Sequence, residues 1–223
     1  MVVESDERFN SQPSPNALET MPTVLHAQVE FFLRPARAPR FGVFYRSLSS
    51  ATKKARIRAE HRLEWLMDIA GYMDELVELP PVALPDFDIR KNPLEVSDQD
   101  VEALACEARK FWGMGEGPVA NVTRLVDNHG VILTLDNLDA DALDSLSTAS
   151  RPYIMISRDK GTAVRWRYDV AHELSHFIMH SHLVERVVSR SVEAAAIEDQ
   201  ADRFAGASLL PLGPLWTISL RPR

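Results

Sequence analysis

Residues 168–182, which read YDVAHELSHFIMHSH, constrain this chain more than any other segment. They contain His172, Glu173 and His176 in the order H-E-x-x-H. On a helix, residues four apart lie one turn apart on the same face, so both imidazoles can bind one tetrahedral zinc ion. Neither proline nor glycine interrupts the helix expected here, and four apolar residues give it a face to bury: Val170, Leu174, Phe177 and Ile178.

The position of Glu173 indicates a role different from that of the histidines. It projects about 100° around the helix from His172 and therefore lies beside the metal rather than on it. A carboxylate in that place can take a proton from an attacking water and carry it to a leaving amine. We assign Glu173 as the catalytic base. Single histidines on amphipathic helices are often ordinary surface or core residues, but a pair at this spacing with an intervening glutamate favours a metal site.

A catalytic zinc needs a third protein ligand, and a downstream segment offers one. Glu198 and Asp202, in AIEDQADRFA, are again four residues apart. We expect Glu198 to bind the metal and Asp202 to orient a histidine ligand through the free ring nitrogen. Glu193, Asp199 and Asp202 are rival third ligands. Apolar residues of the same helix form a stripe that can pack on the histidine helix: Ala201, Phe204, Ala205 and Leu209.

One more histidine follows on the motif helix. His180 lies eight residues after His172 and is rotated about 80° away from the line of the ligands. We therefore expect His180 to support the ligands or to pack behind them, with direct metal binding as the less favoured alternative. His182 is expected past the end of the helix.

Composition excludes several classes of protein. The chain has 223 residues, which suits one medium domain or two small ones, and a single cysteine, Cys106. One cysteine forms no internal disulfide and rules out zinc sites that need two thiolates. We expect Cys106 to be a buried, inert thiol. The apolar runs are too short to span a bilayer and the N-terminus is polar and acidic, so we expect a cytoplasmic protein with no membrane partner.

Charge is distributed unevenly. The net charge is −7, but residues 33–62 contain nine basic residues and one acid, a local charge of +8 that leaves −15 for the remainder. Such asymmetry can mark a nucleic-acid contact. Aromatic residues accompany these charges only at Phe41, Phe44 and Tyr45, so we favour a solvated helix face over a nucleic-acid interface.

Periodicity and helix breakers predict an α+β fold with a small sheet. The prediction divides the chain into a disordered leader (1–26), a basic connector with a long helix (27–88) and a domain that carries the metal site (89–223). The long helix is expected over 50–79, and an extended proline-rich linker follows it over 80–88. Further elements are expected as follows: helices over 97–113, 119–127, 162–181 and 193–210, strands over 131–135 and 153–157, and a loop over 136–150.

Two segments resemble a known family. RWRYDVAHELSHFIMH followed by IEDQADRFAGASLLP is similar to the ImmA/IrrE family of zinc metallopeptidases. FWGMGEGPVANVTRLVDNHGVIL and RPYIMISRD are similar to its helix–strand lead-in. The basic segment resembles the connector of longer members that carry an XRE-type helix-turn-helix. The resemblance covers about residues 27–211.

The resemblance implies a function. His172, His176 and Glu198 would be ligands of one zinc per chain, and Glu173 would be the base. The fold would be a zincin-like, gluzincin-type core with a small antiparallel sheet and the H-E-x-x-H helix, preceded by the long helix. The reaction would be intracellular cleavage of an XRE-type repressor, which derepresses stress or mobile-element genes.

The chain departs from the family pattern in several places. Ser175 stands where glycine is usual, and Tyr168-Asp169 replace the usual Phe-Thr. Residues 1–26 are too few for a full helix-turn-helix, and the chain stops 12 residues after Pro211, so we expect the domain over 89–223 to be truncated. Two alternatives to a peptidase stay open. One is a DNA-associated regulator with a structural or vestigial metal site, and the other is an inactive remnant.

Overall fold

A computed structural model describes residues 14–33, 43–46, 53–87, 89, 92–136, 144–148, 151–158, 162–183 and 191–211. The chain forms two compact units, Met1–Pro39 and Arg40–Arg223. The first contains helices α1 (Pro15–Leu25) and α2 (Val29–Phe32). Sequence analysis predicts disorder before residue 27, but α1 forms because Ser14 caps it, Oγ accepting from the Ala17 amide at 3.2 Å, and Pro15 opens it.

The second unit is built from helices around a sheet. Its elements in chain order are β1 (Val43–Arg46), α3 (Lys53–Leu76), a 3₁₀ turn (Pro93–Glu95), α4 (Asp98–Phe111), α5 (Val122–Asn128), β2 (Ile132–Asp136), β3 (Asp144–Thr148), β4 (Pro152–Ser157), α6 (Ala163–Ser175) and α7 (Ser191–Leu209). The helices and the two strands predicted in this unit are confirmed within a few residues at each end.

The sheet has four strands in the order β1-β3-β4-β2 and is mixed. β3 runs antiparallel to both β1 and β4, whereas β2 runs parallel to β4, with Ile132 opposite Tyr153. The predicted antiparallel sheet is therefore wrong. The cause is β3, which forms inside the segment predicted as a loop. The chain reverses once before β3 and once after it, and two reversals bring β4 back into the direction of β2.

Strand β4 is buried along its whole length because helices cover both faces of the sheet. Tyr153 and Met155 face α3, which buries Ala59, Leu63, Met67 and Ala70 against them. Ile154 and Ile156 alternate with them and point into the larger core, among residues of α4–α7. The long helix therefore lies in one compact unit with the sheet, and the division of the chain at residues 26 and 88 stays a prediction.

Helix α4 begins at a capping box formed by Ser97 and Asp100. The Asp100 amide donates to Ser97 Oγ at 3.2 Å, and the Ser97 amide donates to Asp100 Oδ2 at 3.1 Å. Near its end, Arg109 is buried and donates to the carbonyls of Ser208 (2.5 Å), Gly115 and Gly117 (2.5 Å). Burial lowers the pKa of Arg109. These bonds fasten the loop after α4 to the end of α7.

Cys106 is exposed, which corrects the expectation of a buried thiol. Its neighbours Ala105 and Ala108 supply the buried face of α4, and Cys106 points away from that face. Among the described residues, no helix is long and apolar enough to cross a membrane.

Candidate metal centre

The H-E-x-x-H segment lies in the interior on a continuous helical stretch. Thr162 caps α6, Oγ1 accepting from the Arg165 amide at 3.3 Å, and the helix continues from His176 to His180 as a π turn. Every residue from 169 to 180 is buried. Single π turns are rare and often occur at functional sites.

Three candidate ligand atoms converge on one point. His172 Nε2 lies 3.2 Å from His176 Nε2 and 3.4 Å from Glu198 Oε2, and His176 Nε2 lies 3.7 Å from Glu198 Oε1. Ligands about 2.0–2.1 Å from a tetrahedral zinc are separated from one another by about 3.3 Å. The three side chains therefore have the spacing of a metal site.

Asp202 lies against the other nitrogen of His172. Its Oδ1 is 2.7 Å from His172 Nδ1, and its backbone carbonyl accepts from the Tyr168 hydroxyl at 3.0 Å. An ionised carboxylate only accepts hydrogen bonds, so His172 carries its proton on Nδ1. The Nε2 lone pair then faces His176 and Glu198. That Asp202 orients a metal-binding histidine stays a prediction.

His180 lies behind His176 rather than among the candidate ligands. Its Nδ1 is 3.1 Å from His176 Nδ1, and its Nε2 is 3.1 Å from Gln200 Oε1. Gln200 Nε2 donates to the Pro93 carbonyl at 2.6 Å. No sequence pattern described above includes Gln200 or Pro93. The available signal was a glutamine three residues after the buried Ile197 and four before the buried Phe204, a polar residue in an apolar stripe.

The other acidic residues considered for the site are Glu173, Glu193 and Asp199. Glu173 is 1% exposed and follows His172 directly on α6. Among the described residues, the group of side chains that could hold a metal ion contains His172, His176 and Glu198 and includes neither Glu193 nor Asp199. The geometry therefore favours Glu198 over these two rival ligands.

The comparisons with known proteins bear on the same segment. Residues 126–220 match the family model of the IrrE N-terminal-like domain, peptidase M78. This part of the chain is similar to M78-type peptidase domains. This agrees with the resemblance to the ImmA/IrrE family. No curated protein and no solved structure matches the chain.

The M78 match includes β2, β4, α6 and α7, and thus all the candidate ligands. Similarity to this family suggests a metallopeptidase, which would act on proteins, and the M78 domain fits a zincin-like fold. The 3₁₀ turn at Pro93 and α4 precede the matched residues, yet Pro93 contacts Gln200 beside the site.

Proposed function

We propose that this protein is a zinc-dependent metalloendopeptidase of the gluzincin type. The observation that carries the proposal is the convergence of His172, His176 and Glu198, from two helices, at the spacing of a tetrahedral site. The M78 match supports the same activity, because the three residues lie within residues 126–220.

The donor set fits zinc. Two imidazole nitrogens and a carboxylate suit zinc better than the all-oxygen sets preferred by magnesium or calcium. Because Asp202 keeps the His172 proton on Nδ1, His172 Nε2 carries a free lone pair. Glu198 adds a negative oxygen 3.4 Å from that nitrogen. Electron-rich atoms brought this close beside the buried histidines repel one another, and a bound cation removes that repulsion.

In the proposed reaction, His172, His176 and Glu198 would hold one zinc ion. When bound, zinc supplies Lewis acidity that polarises a scissile carbonyl and makes water more acidic. Glu173, one residue after the first ligand, accepts the proton of the attacking water at its carboxylate and passes it to the leaving amine. Its burial keeps bulk water away from that proton transfer.

We propose an XRE-type repressor as the substrate, on the basis of the ImmA/IrrE resemblance. Cleavage of such a repressor would derepress stress or mobile-element genes. The side chains of Glu198 and Asp202 are 41% and 47% exposed, whereas that of His172 is fully buried.

The test compares wild type, Glu173→Gln and His172→Ala for zinc content and for cleavage of a purified XRE-type repressor from the same genome. We expect about one zinc per chain in wild type and Glu173→Gln, little in His172→Ala, and cleavage by wild type alone. Glu193→Gln is the matched control, because Glu193 is an acid of α7 outside the group of three candidate ligands. Equal cleavage by Glu173→Gln contradicts the role of Glu173.

The basic segment favours a second candidate, a DNA-associated regulator with a structural metal site. Of its charges, Arg62 pairs with Asp136 at 3.1 Å and is therefore engaged within the chain. The side chains of the basic residues at positions 34–56 lie outside the described residues. Salt-dependent binding of duplex DNA by the whole chain, without cleavage of any repressor tested, would favour this alternative.

A further inference from the structure

Four polar groups form a chain that leads from the backbone before α4 to the metal centre. They are the Pro93 carbonyl, Gln200, His180 and His176, joined by contacts of 2.6, 3.1 and 3.1 Å. We propose that Gln200, anchored on Pro93, acts through His180 to determine which nitrogen of His176 is free to bind a metal. Gln200 and His180 are then positioning residues. The role of this hydrogen-bond chain in metal binding rests on the proposed function, whereas the directions of its hydrogen bonds do not.

The direction of the first bond follows from Pro93. A backbone carbonyl only accepts, so the Gln200 atom 2.6 Å from it is the amide nitrogen. This orients the side-chain amide, and its oxygen Oε1 faces His180. Because that oxygen also only accepts, His180 Nε2 carries a proton and donates to it.

The proton on His180 Nε2 determines in turn the proton position on His176. His180 is 2% exposed, and a neutral imidazole carries a single N–H. With the proton on Nε2, His180 Nδ1 is an acceptor and takes the proton of His176 Nδ1 across 3.1 Å. His176 Nε2 is then the lone pair, and it faces His172 and Glu198.

The two histidines are thus oriented by different devices. Asp202, a carboxylate with a 47% exposed side chain, orients His172 directly. His176 is oriented by a buried chain of neutral groups that ends on a backbone carbonyl. That carbonyl belongs to Pro93, a buried residue in the turn before α4 and upstream of the M78 match. A residue outside the matched segment therefore helps to orient His176, one of the candidate metal ligands.

The first test reads the tautomers directly. Nitrogen-15 NMR of metal-free wild type should show His176 protonated on Nδ1 and His180 protonated on Nε2. A His176 protonated on Nε2 would overturn the proposal. Because no variant and no metal is required, this measurement holds even if the substitutions below prevent folding or the protein proves not to be a peptidase.

The second test measures zinc affinity by competition with a chromophoric chelator. Gln200→Met keeps the volume of the side chain but removes both hydrogen bonds, and His180→Phe removes both ring nitrogens. Each should weaken zinc binding about 10–100-fold, as expected for partners that orient a ligand. The double variant should lose little more than the worse single variant, since both substitutions break one chain. Gln99→Met, at an exposed position of α4, should bind zinc as wild type does.

The outcomes separate the explanations. A merely structural Gln200 would lower the unfolding temperature of Gln200→Met and leave the His176 tautomer and zinc affinity unchanged, which overturns the proposal. Losses that multiply in the double variant also contradict it. If wild type shows the expected tautomers but binds no zinc and cleaves no repressor, the proposed function fails while the hydrogen-bond chain stands.

Discussion

Asp202 Oδ1 lies 2.7 Å from His172 Nδ1, across 30 residues of sequence. One turn earlier on the same helix, Glu198 Oε2 lies 3.4 Å from the other nitrogen of that ring. Two carboxylates four residues apart on α7 thus face both sides of one imidazole. The H-E-x-x-H helix and the E-x-x-x-D helix are packed so that His172 of the first contacts both carboxylates of the second.

Loss of Asp202 should weaken metal binding without abolishing it. Asp202→Ala removes the acceptor that keeps the His172 proton on Nδ1, while all three candidate ligands stay. We expect zinc affinity to fall about 10–100-fold, measured by chelator competition. The matched control is Asp199→Ala, an exposed acid three residues earlier on α7, which should bind zinc like wild type. A loss in the control equal to that in Asp202→Ala would assign the effect to overall charge.

Loss of Glu198 should be more severe. Glu198→Ala removes one of the three candidate ligands that converge on the site. The zinc affinity of this variant should therefore fall by more than the roughly 10–100-fold expected when an orienting residue is lost. Glu193→Ala tests the rival ligand on the same helix. Zinc content after gel filtration distinguishes them, and a Glu193→Ala protein that loses its zinc while Glu198→Ala keeps it would show that the ligand assignment is wrong.

Zinc should stabilise the folded chain. The candidate ligands come from two helices that separate on unfolding, so the site exists only in the folded state. At free zinc 100 times its dissociation constant, the free energy of unfolding should rise by about 2.7 kcal/mol. Denaturant unfolding with zinc and with a chelator measures the difference. His172→Ala should show no such difference, and an equal rise there would point to binding elsewhere.

The long helix should contribute to the stability of the unit that holds the site. Leu63 is 2% exposed and packs in the cluster with Tyr153 and Met155 of β4. Leu63→Ala should lower the free energy of unfolding by about 2–5 kcal/mol. Leu76→Ala makes the same change on the same helix at a residue that is 61% exposed. Apart from the difference in helix propensity between leucine and alanine, it should lower the free energy of unfolding by less than about 0.5 kcal/mol. Equal losses would contradict the packing of α3 on the sheet.

Two glycines should respond oppositely to alanine. Gly130 ends α5 with φ at +78°, and a Cβ there would lie 2.6 Å from the Pro81 carbonyl oxygen. The left-handed backbone alone costs an alanine about 1–2 kcal/mol, and the contact with Pro81 adds to that cost. Gly206 lies within α7 with open space around its Cβ position. Gly206→Ala should therefore raise the free energy of unfolding by about 0.5–1 kcal/mol. Thermal unfolding of both variants checks the signs, and a neutral Gly130→Ala would contradict the backbone conformation.

Much of the local structure was predictable because its causes are local. Ser97 and Asp100 mark the start of α4, and the apolar spacing of Ala59, Leu63 and Ala70 marks the buried face of α3. Strand β3 was missed because Asp144–Thr148 contains little that is apolar or β-branched. It is a strand because β1 and β4 supply hydrogen-bonding partners on both sides, which no local pattern reveals.

The sequence by itself determined that His172 and His176 share one face of a helix and that Glu198 and Asp202 share one face of another, since four-residue spacing is a property of any α-helix. Only the tertiary structure decided that these faces meet, that β2 runs parallel to β4, and that Gln200 spans from Pro93 to His180. Such contacts join residues far apart in the chain. They depend on how buried surfaces pack and on whether each buried polar group finds a partner, and helical periodicity carries no information about either.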